Sequence, residues 1–218
     1  MKAMVIREFG GPEQLRMAEV SDPVPRPGQV RVAVQAAGVN PVDAGNRADG
    51  SWAGLTVPCI LGYDIAGVIE STGPGLTGLA PGDRVMAMTH FRDGAGGYAE
   101  LAVIDAPLAA PISAPVSFID AAATPLAAGT AHDVLARLAL PAGSSLLVLG
   151  GSGGVGLFLL QLAAASGIAA IGVGPPLPCS TWTRSWMTTS PSMACSSKTT
   201  ATGPAASRPC WPIASSGR

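Results

Sequence analysis

The run Leu146-Leu-Val-Leu-Gly-Gly-Ser-Gly-Gly-Val-Gly-Leu157 constrains the fold more than any other stretch, because apolar residues, a glycine turn and helix formers follow one another directly. The run predicts a strand over Ser145–Leu149, a tight turn, and a helix that begins near Gly154 and continues through Leu157–Ala165. Gly151, Gly153 and Gly156 fit G-x-G-x-x-G. In that pattern the first glycine permits the turn, the second lets the backbone approach a pyrophosphate, and the third lets the helix pack on the strand. Phosphate would sit on the unpaired N–H groups at the start of the helix, where the macrodipole favours negative charge. Gly151, Ser152, Gly153, Gly154, Val155 and Gly156 are therefore the candidate cofactor-binding residues of this segment. A purely structural glycine turn is the alternative.

Upstream, Val30, Val32, Val34 and Ala36 alternate with Arg31, Ala33 and Gln35 as in a half-buried strand, and further strands are expected over Ala3–Arg7, Ile65–Ser71, Arg84–Met88 and Tyr98–Ile104. Turn chemistry separates them, as at Thr72-Gly-Pro-Gly75 and Ala80-Pro-Gly-Asp83. Short strands spaced in this way point to a barrel. Ser117-Phe-Ile-Asp120 fits a capping box before a short helix at Ala121–Ala123, and a second helix is expected over Ala127–Leu138. The fold class that results is mixed β and α/β. Its expected parts are residues 1–125, the nucleotide-binding start at 126–174, and a tail at 175–218.

Composition removes several function classes. The net charge of −1 gives no electrostatic basis for a nucleic acid partner or an anionic membrane. Residues 153–174 carry no charge, yet Gln161, Ser166 and several glycines interrupt them, so strand, turn and helix account for them better than a membrane span. The segment Met1–Glu8 has no signal-peptide core, and a cytoplasmic location is expected. His90 and His132 have no ligand spacing between them, and Asp83 beside Gly82 reads as a turn residue.

Taken together, Ala37-Gly-Val-Asn-Pro-Val-Asp43, Leu61-Gly-Tyr-Asp-Ile-Ala-Gly67, Pro81-Gly-Asp-Arg-Val85, Gly97-Tyr-Ala-Glu100, Ala121-Ala-Ala-Thr-Pro-Leu126, Gly129-Thr-Ala131 and Gly151-Ser-Gly-Gly-Val-Gly156 occur in the order of the medium-chain dehydrogenase/reductases. The resemblance is to the zinc-independent quinone oxidoreductase branch. It implies a GroES-like partial β-barrel for a small-molecule substrate, followed by a Rossmann domain for NADP(H), with NAD(H) left open. By the same resemblance Asn40 and Thr130 lie near the nicotinamide, Asp43 and Arg47 belong to the loop that shapes the mouth, and Tyr63 offers a substrate-side hydroxyl. Asn40, Asp43 and Tyr63 are thus the candidate catalytic residues. Loop capping beside Pro41 is the alternative for Asn40 and Asp43. Zinc enzymes of the superfamily carry a Cys and a Gly-His-Glu where this sequence has Asn40 and Gly62-Tyr-Asp64, and an amide and a phenol are poor replacements for thiolate and imidazole. No zinc is expected.

The family pattern stops at Gly174. Residues 1–174 hold 9 basic and 14 acidic side chains, net −5, whereas 175–218 hold 4 basic and none acidic, net +4. The tail is rich in Pro, Ser and Thr, has no apolar period, and spaces Cys179, Cys195 and Cys210 in no zinc pattern. Back-translation of Thr181–Thr189 with GC-rich codons, read one nucleotide earlier, gives a segment like the family's next strand. The expectation is therefore a disordered tail produced by a frameshift on a truncated cofactor domain. The family is often homodimeric, and the part that forms the dimer would be missing. Two functions remain: a metal-independent NAD(P)H reductase of quinones or enones, or a silent remnant with at most weak dinucleotide binding.

Overall fold

The computed structural model describes residues 1–90 and 96–175. The expected tail, its frameshift and its cysteines lie outside the described residues apart from Pro175. The chain divides into two compact units, one of Met1–Thr130 and one that starts at Ala131.

The first unit is built on two antiparallel sheets. The strands β1 (Lys2–Ile6), β2 (Arg16–Glu19), β3 (Gln29–Gly38), β4 (Cys59–Ile60), β5 (Asp64–Thr72), β6 (Arg84–Met88), β7 (Leu101–Asp105) and β8 (Ala110–Pro111) arrange as β2-β1-β4 and β7-β3-β5-β6-β8. The sheets do not close into one ring among the described residues. They are tied by an Ala3 to Ala99 bridge and by hydrogen bonds from Met4 N to Tyr98 O and from Glu100 N to Lys2 O.

Alternation explains the core. Val30 and Val32 of β3 meet Ile65 and Ile69 of β5, Val85 and Ala87 of β6, and Ala102 and Ile104 of β7, all of them buried. Each such Val or Ile contributes about 1.5–3 kcal/mol relative to exposure. A register shift between Val34 and Ala36 breaks the simple alternation, and Ala36 packs instead with Ala66 and with Ala121 and Ala122 of helix α2 (Phe118–Ala122). β5 is consequently buried on both faces. Ser117 caps α2 by accepting the Asp120 N–H at 3.1 Å. The Arg84 guanidinium holds the approach to α2 by donating to the carbonyls of Ser113, Ala114 and Val116 and lying 4.5 Å from the centre of the Phe118 ring.

Two expectations need correction here. Residues Pro41–Asp49 form a helix, α1, and not a loop. Pro41 opens it, which suits a residue with no N–H to donate, and Arg47 Nε donates to Gly10 O at 3.2 Å near its end. Strand β7 also begins at Leu101, so Tyr98 lies before it.

The second unit contains β9 (Ser145–Leu149), helix α4 (Gly154–Ala165) and β10 (Ala169–Val173), with β9 and β10 paired parallel and in register. Helix α3 (Pro125–Leu138) crosses the boundary between the units, and from Ala131 onward it packs with α4 over one face of this sheet through Ala131, Val134, Leu135, Val148 and Leu159. The other face exposes Leu147, Leu149, Ile171 and Val173. Among the described residues no helix is long and apolar enough to cross a membrane.

Candidate active site

In the first unit the chain brings Asn40, Asp43 and Tyr63 to one place, together with Asp64 and Tyr98. Asn40 ends the turn after β3 and stands at the N-cap of α1. Its backbone N–H donates to Asp43 Oδ2 at 2.8 Å, so Asp43 folds back over the first turn of its own helix. Gly62, at φ +105°, takes a backbone conformation costly for other residues and delivers Tyr63 and Asp64 at the start of β5. The Tyr63 ring packs on a cluster of Ile6, Leu55, Cys59 and Leu61.

Asp64 makes side-chain hydrogen bonds to two distant parts of the chain. Its Oδ2 accepts from Asn40 Nδ2 at 2.9 Å and its Oδ1 accepts from the Leu126 N–H, in the first turn of α3, at 2.9 Å. The two places that resemble zinc-ligand positions therefore hold one another by a hydrogen bond. Among the described residues no group of three His, Cys, Asp or Glu side chains is placed to hold a metal ion. The donor set of amide, phenol and carboxylate does not fit a zinc centre of N and S ligands.

The electrostatics follow from burial. Asp43 is 3% exposed and Asp64 1% exposed. Burial pushes the Asp43 carboxyl above the ordinary carboxylate range, and the N–H groups of Asn40, Tyr63 and Gly62 oppose that rise. Asp64 is likewise pushed up by burial, the Asn40 amide and the Leu126 N–H oppose it, and the neighbouring Asp43 adds to it. The Tyr98 phenol is pushed up by burial and then by Asp43. Tyr98 lies close enough to Asp43 for each to influence the other, yet Asp43 Oδ1 and Tyr98 OH complete no hydrogen bond of good geometry. The buried Asn46 amide, one turn along α1 from Asp43, also lacks a partner. Neither Asn46 nor Tyr98 was marked by the sequence; the i, i+3 spacing of Asp43 and Asn46 is the one local signal that pointed there.

Thr130 is exposed on α3, one turn beyond Leu126 and on the same helix face. His90 and His132 are exposed, each near a neighbouring aspartate. Asp83 closes its turn by accepting the Ala80 N–H at 2.8 Å.

The second unit holds the glycine segment. Helix α4 starts at Gly154 with Gly153 as its N-cap, so the first N–H groups of the helix have no partner within it. The three motif glycines differ in what surrounds them. A Cβ on Gly151 would strike Gly172 of β10, at 2.6 Å from its Cα, and one on Gly156 would strike the Gly150 carbonyl. A Cβ on Gly153 would meet only the Gly150 oxygen at 3.3 Å, and Gly153 is exposed. The left-handed residue of the turn is Gly150, at φ +82°, and not Gly151, whose lack of a side chain instead permits close packing on β10. The space in front of Gly153 and the exposed helix start suit a phosphate.

Comparison with known proteins agrees with this arrangement. Residues 26–114 match the alcohol dehydrogenase GroES-like domain. The chain is 39% identical over 178 residues to a quinone oxidoreductase of Rattus norvegicus, covering 79% of this chain and 52% of that protein. It is 37% identical over 171 residues to an NADPH-dependent alkenal/one oxidoreductase of Arabidopsis thaliana, covering 75% and 44%. An Escherichia coli quinone oxidoreductase crystallised with NADPH superposes with a TM-score of 0.70 at 30% identity, covering 79% of this chain and 52% of that one. The chain spans about half the length of the curated relatives it matches. From its ordered motifs, its fold and these relatives, the chain belongs to the medium-chain dehydrogenase/reductase superfamily, in the quinone oxidoreductase-like branch.

Proposed function

We propose that this chain carries the substrate unit and the start of the cofactor unit of an NADPH-dependent reductase of quinones or enones, small molecules with an electron-poor carbon. The observation that carries the reading is the exposed start of α4, where Gly153 alone among the motif glycines is exposed and a Cβ would meet a single atom, the Gly150 oxygen at 3.3 Å. The names of the relatives support the cofactor and the substrate class. When bound, the nicotinamide supplies the hydride, and the protein supplies position and hydrogen bonding.

In this reading Gly151 and Gly156 hold the turn tight, while Ser152, Gly153, Gly154 and Val155 present the pyrophosphate with backbone. Asn40 and Thr130 would contact the nicotinamide. Tyr63 and Asn40 are the polar groups that would face an oxyanion developing on the substrate. Asp43 sets the backbone of Asn40. Residues 1–125 form the substrate domain and 126–174 the opening of the dinucleotide domain, in a cytoplasmic protein with neither nucleic acid nor membrane as partner.

A second reading is a chain that binds dinucleotide weakly and does not turn over. It is favoured by the apolar face of β9 and β10, where Leu147, Leu149, Ile171 and Val173 stand exposed. Parallel sheets ordinarily have both faces covered.

The test is NADPH binding followed by fluorescence, paired with NADPH oxidation in the presence of a quinone. Gly153→Val leaves an allowed backbone, at φ −79°, but fills the space before the helix. It should weaken NADPH by at least about tenfold, or 1.4 kcal/mol. Unchanged affinity in the folded variant removes the phosphate reading, and binding without quinone-dependent oxidation selects the second.

A further inference from the structure

We propose that Asp64 is a positioning residue that locks the side-chain amide of Asn40 to the first turn of α3. The proposal rests on the reading that Asn40 meets the nicotinamide, and gives Asp64 the task of aiming it.

The geometry is specific. A carboxylate has two oxygens, and each oxygen of Asp64 takes one donor from a different part of the chain: Asn40 Nδ2, 24 residues upstream, and the Leu126 N–H, 62 residues downstream. An asparagine amide can rotate by half a turn about its terminal torsion at little intrinsic cost, exchanging its oxygen and nitrogen. An acceptor-only partner removes that freedom, because the flipped amide would set oxygen against oxygen. Asp64 therefore fixes which amide atom of Asn40 faces it, and the second N–H of that amide remains for a ligand. Its second bond keeps the carboxylate itself from turning, because Leu126 lies in the first turn of α3, where N–H groups have no helical acceptor. Burial at 1% exposure strengthens both bonds by excluding competing water. Asp64 also shares the face of β5 that carries Ala66, the face covered by α2, which explains how a residue at the start of a strand reaches the following helix.

A residue that acts through Asn40 has a signature that general destabilisation lacks. Asp64→Asn keeps the shape but leaves one acceptor oxygen for two donors. In the 218-residue chain it should raise the NADPH dissociation constant by about tenfold with the fold retained. In an Asn40→Ala background the same change should cost less than about twofold, because the group being aimed is gone. Equal losses in both backgrounds would overturn the proposal, and so would unchanged affinity in the folded single variant. A measurement that needs neither cofactor nor variant stands beside these. In the parent chain the Asn40 side-chain NH2 should exchange slowly and show a through-hydrogen-bond coupling to the Asp64 carboxyl carbon by NMR. Fast exchange with no coupling would overturn the lock even if every variant failed to fold. Should the parent bind no NADPH, the function proposed above falls, and the NMR result alone decides the lock.

Discussion

The five-stranded sheet of the first unit and the two-stranded sheet of the second are made of the same residue types, yet they treat them differently. Ile65 in β5 is fully buried, whereas Ile171 in β10 is 68% exposed and Leu149 in β9 is 78% exposed. Antiparallel strands joined locally can close around their own side chains, and β5 has apolar residues packed on both faces. A parallel pair has no such local solution. It takes a crossover helix on one face and depends on more chain for the other. Among the described residues the two units are therefore unequal: the first covers both faces of β5, and the second leaves one face of β9 and β10 exposed.

The largest expected contrast comes from one truncation made in both places. Ile65→Ala should lower unfolding free energy by about 2–5 kcal/mol, while Ile171→Ala should change it by less than about 0.5 kcal/mol. Urea titration of the two variants checks this, and comparable losses would mean that the exposed face is covered in solution. A second contrast lies in amide exchange. The amides of β3, hydrogen-bonded on both sides by β5 and β7, should outlast those of β9, which pairs only with β10 among the described residues, by at least about 100-fold, or about 2.7 kcal/mol of opening free energy. Similar protection would erase the distinction.

The smallest effect concerns pH and belongs to the first unit. Asp43 and Asp64 are pushed above their ordinary value by burial, so the folded chain binds protons there more readily than the unfolded one. Their contribution is most favourable below about pH 4, the ordinary carboxylate value, and is lost as pH rises through the raised folded values. Asp22 and Asp49, held low by the N-terminal ammonium and by Ser51, act in the opposite sense. Asp43→Asn should therefore make the urea midpoint respond less favourably to acidification from pH 7 to pH 5 than it does in the parent. Parallel pH profiles would show that Asp43 titrates as an ordinary carboxylate.

Much of this was legible in the sequence because period and punctuation are local. Val30, Val32, Ile65 and Ile69 announce a core by alternation, and Gly150 to Gly156 announce a strand-to-helix turn. Helix α1 was not legible, because Pro41-Val-Asp-Ala-Gly-Asn-Arg-Ala-Asp49 has no apolar stripe and contains Gly45 and two aspartates. Its buried side is polar, formed by Asp43 and Asn46, and it is held by contacts from Asn40 and Gly10. The same holds for the candidate site. Asn40, Asp43 and Tyr63 could be marked by motif, but the bridge from Asp64 to Leu126 joins residues 62 apart that no spacing rule connects.

That bridge also bears on how such a protein can change over time. A metal centre would need a soft ligand in place of Asn40 and an imidazole in place of Tyr63, and the first substitution would strip a donor from Asp64 and leave a buried oxygen unpaired. A chain that changes Asn40 first carries that cost before any metal can offset it, so the order of substitutions matters on a path from the metal-free to a metal-bearing version of this site.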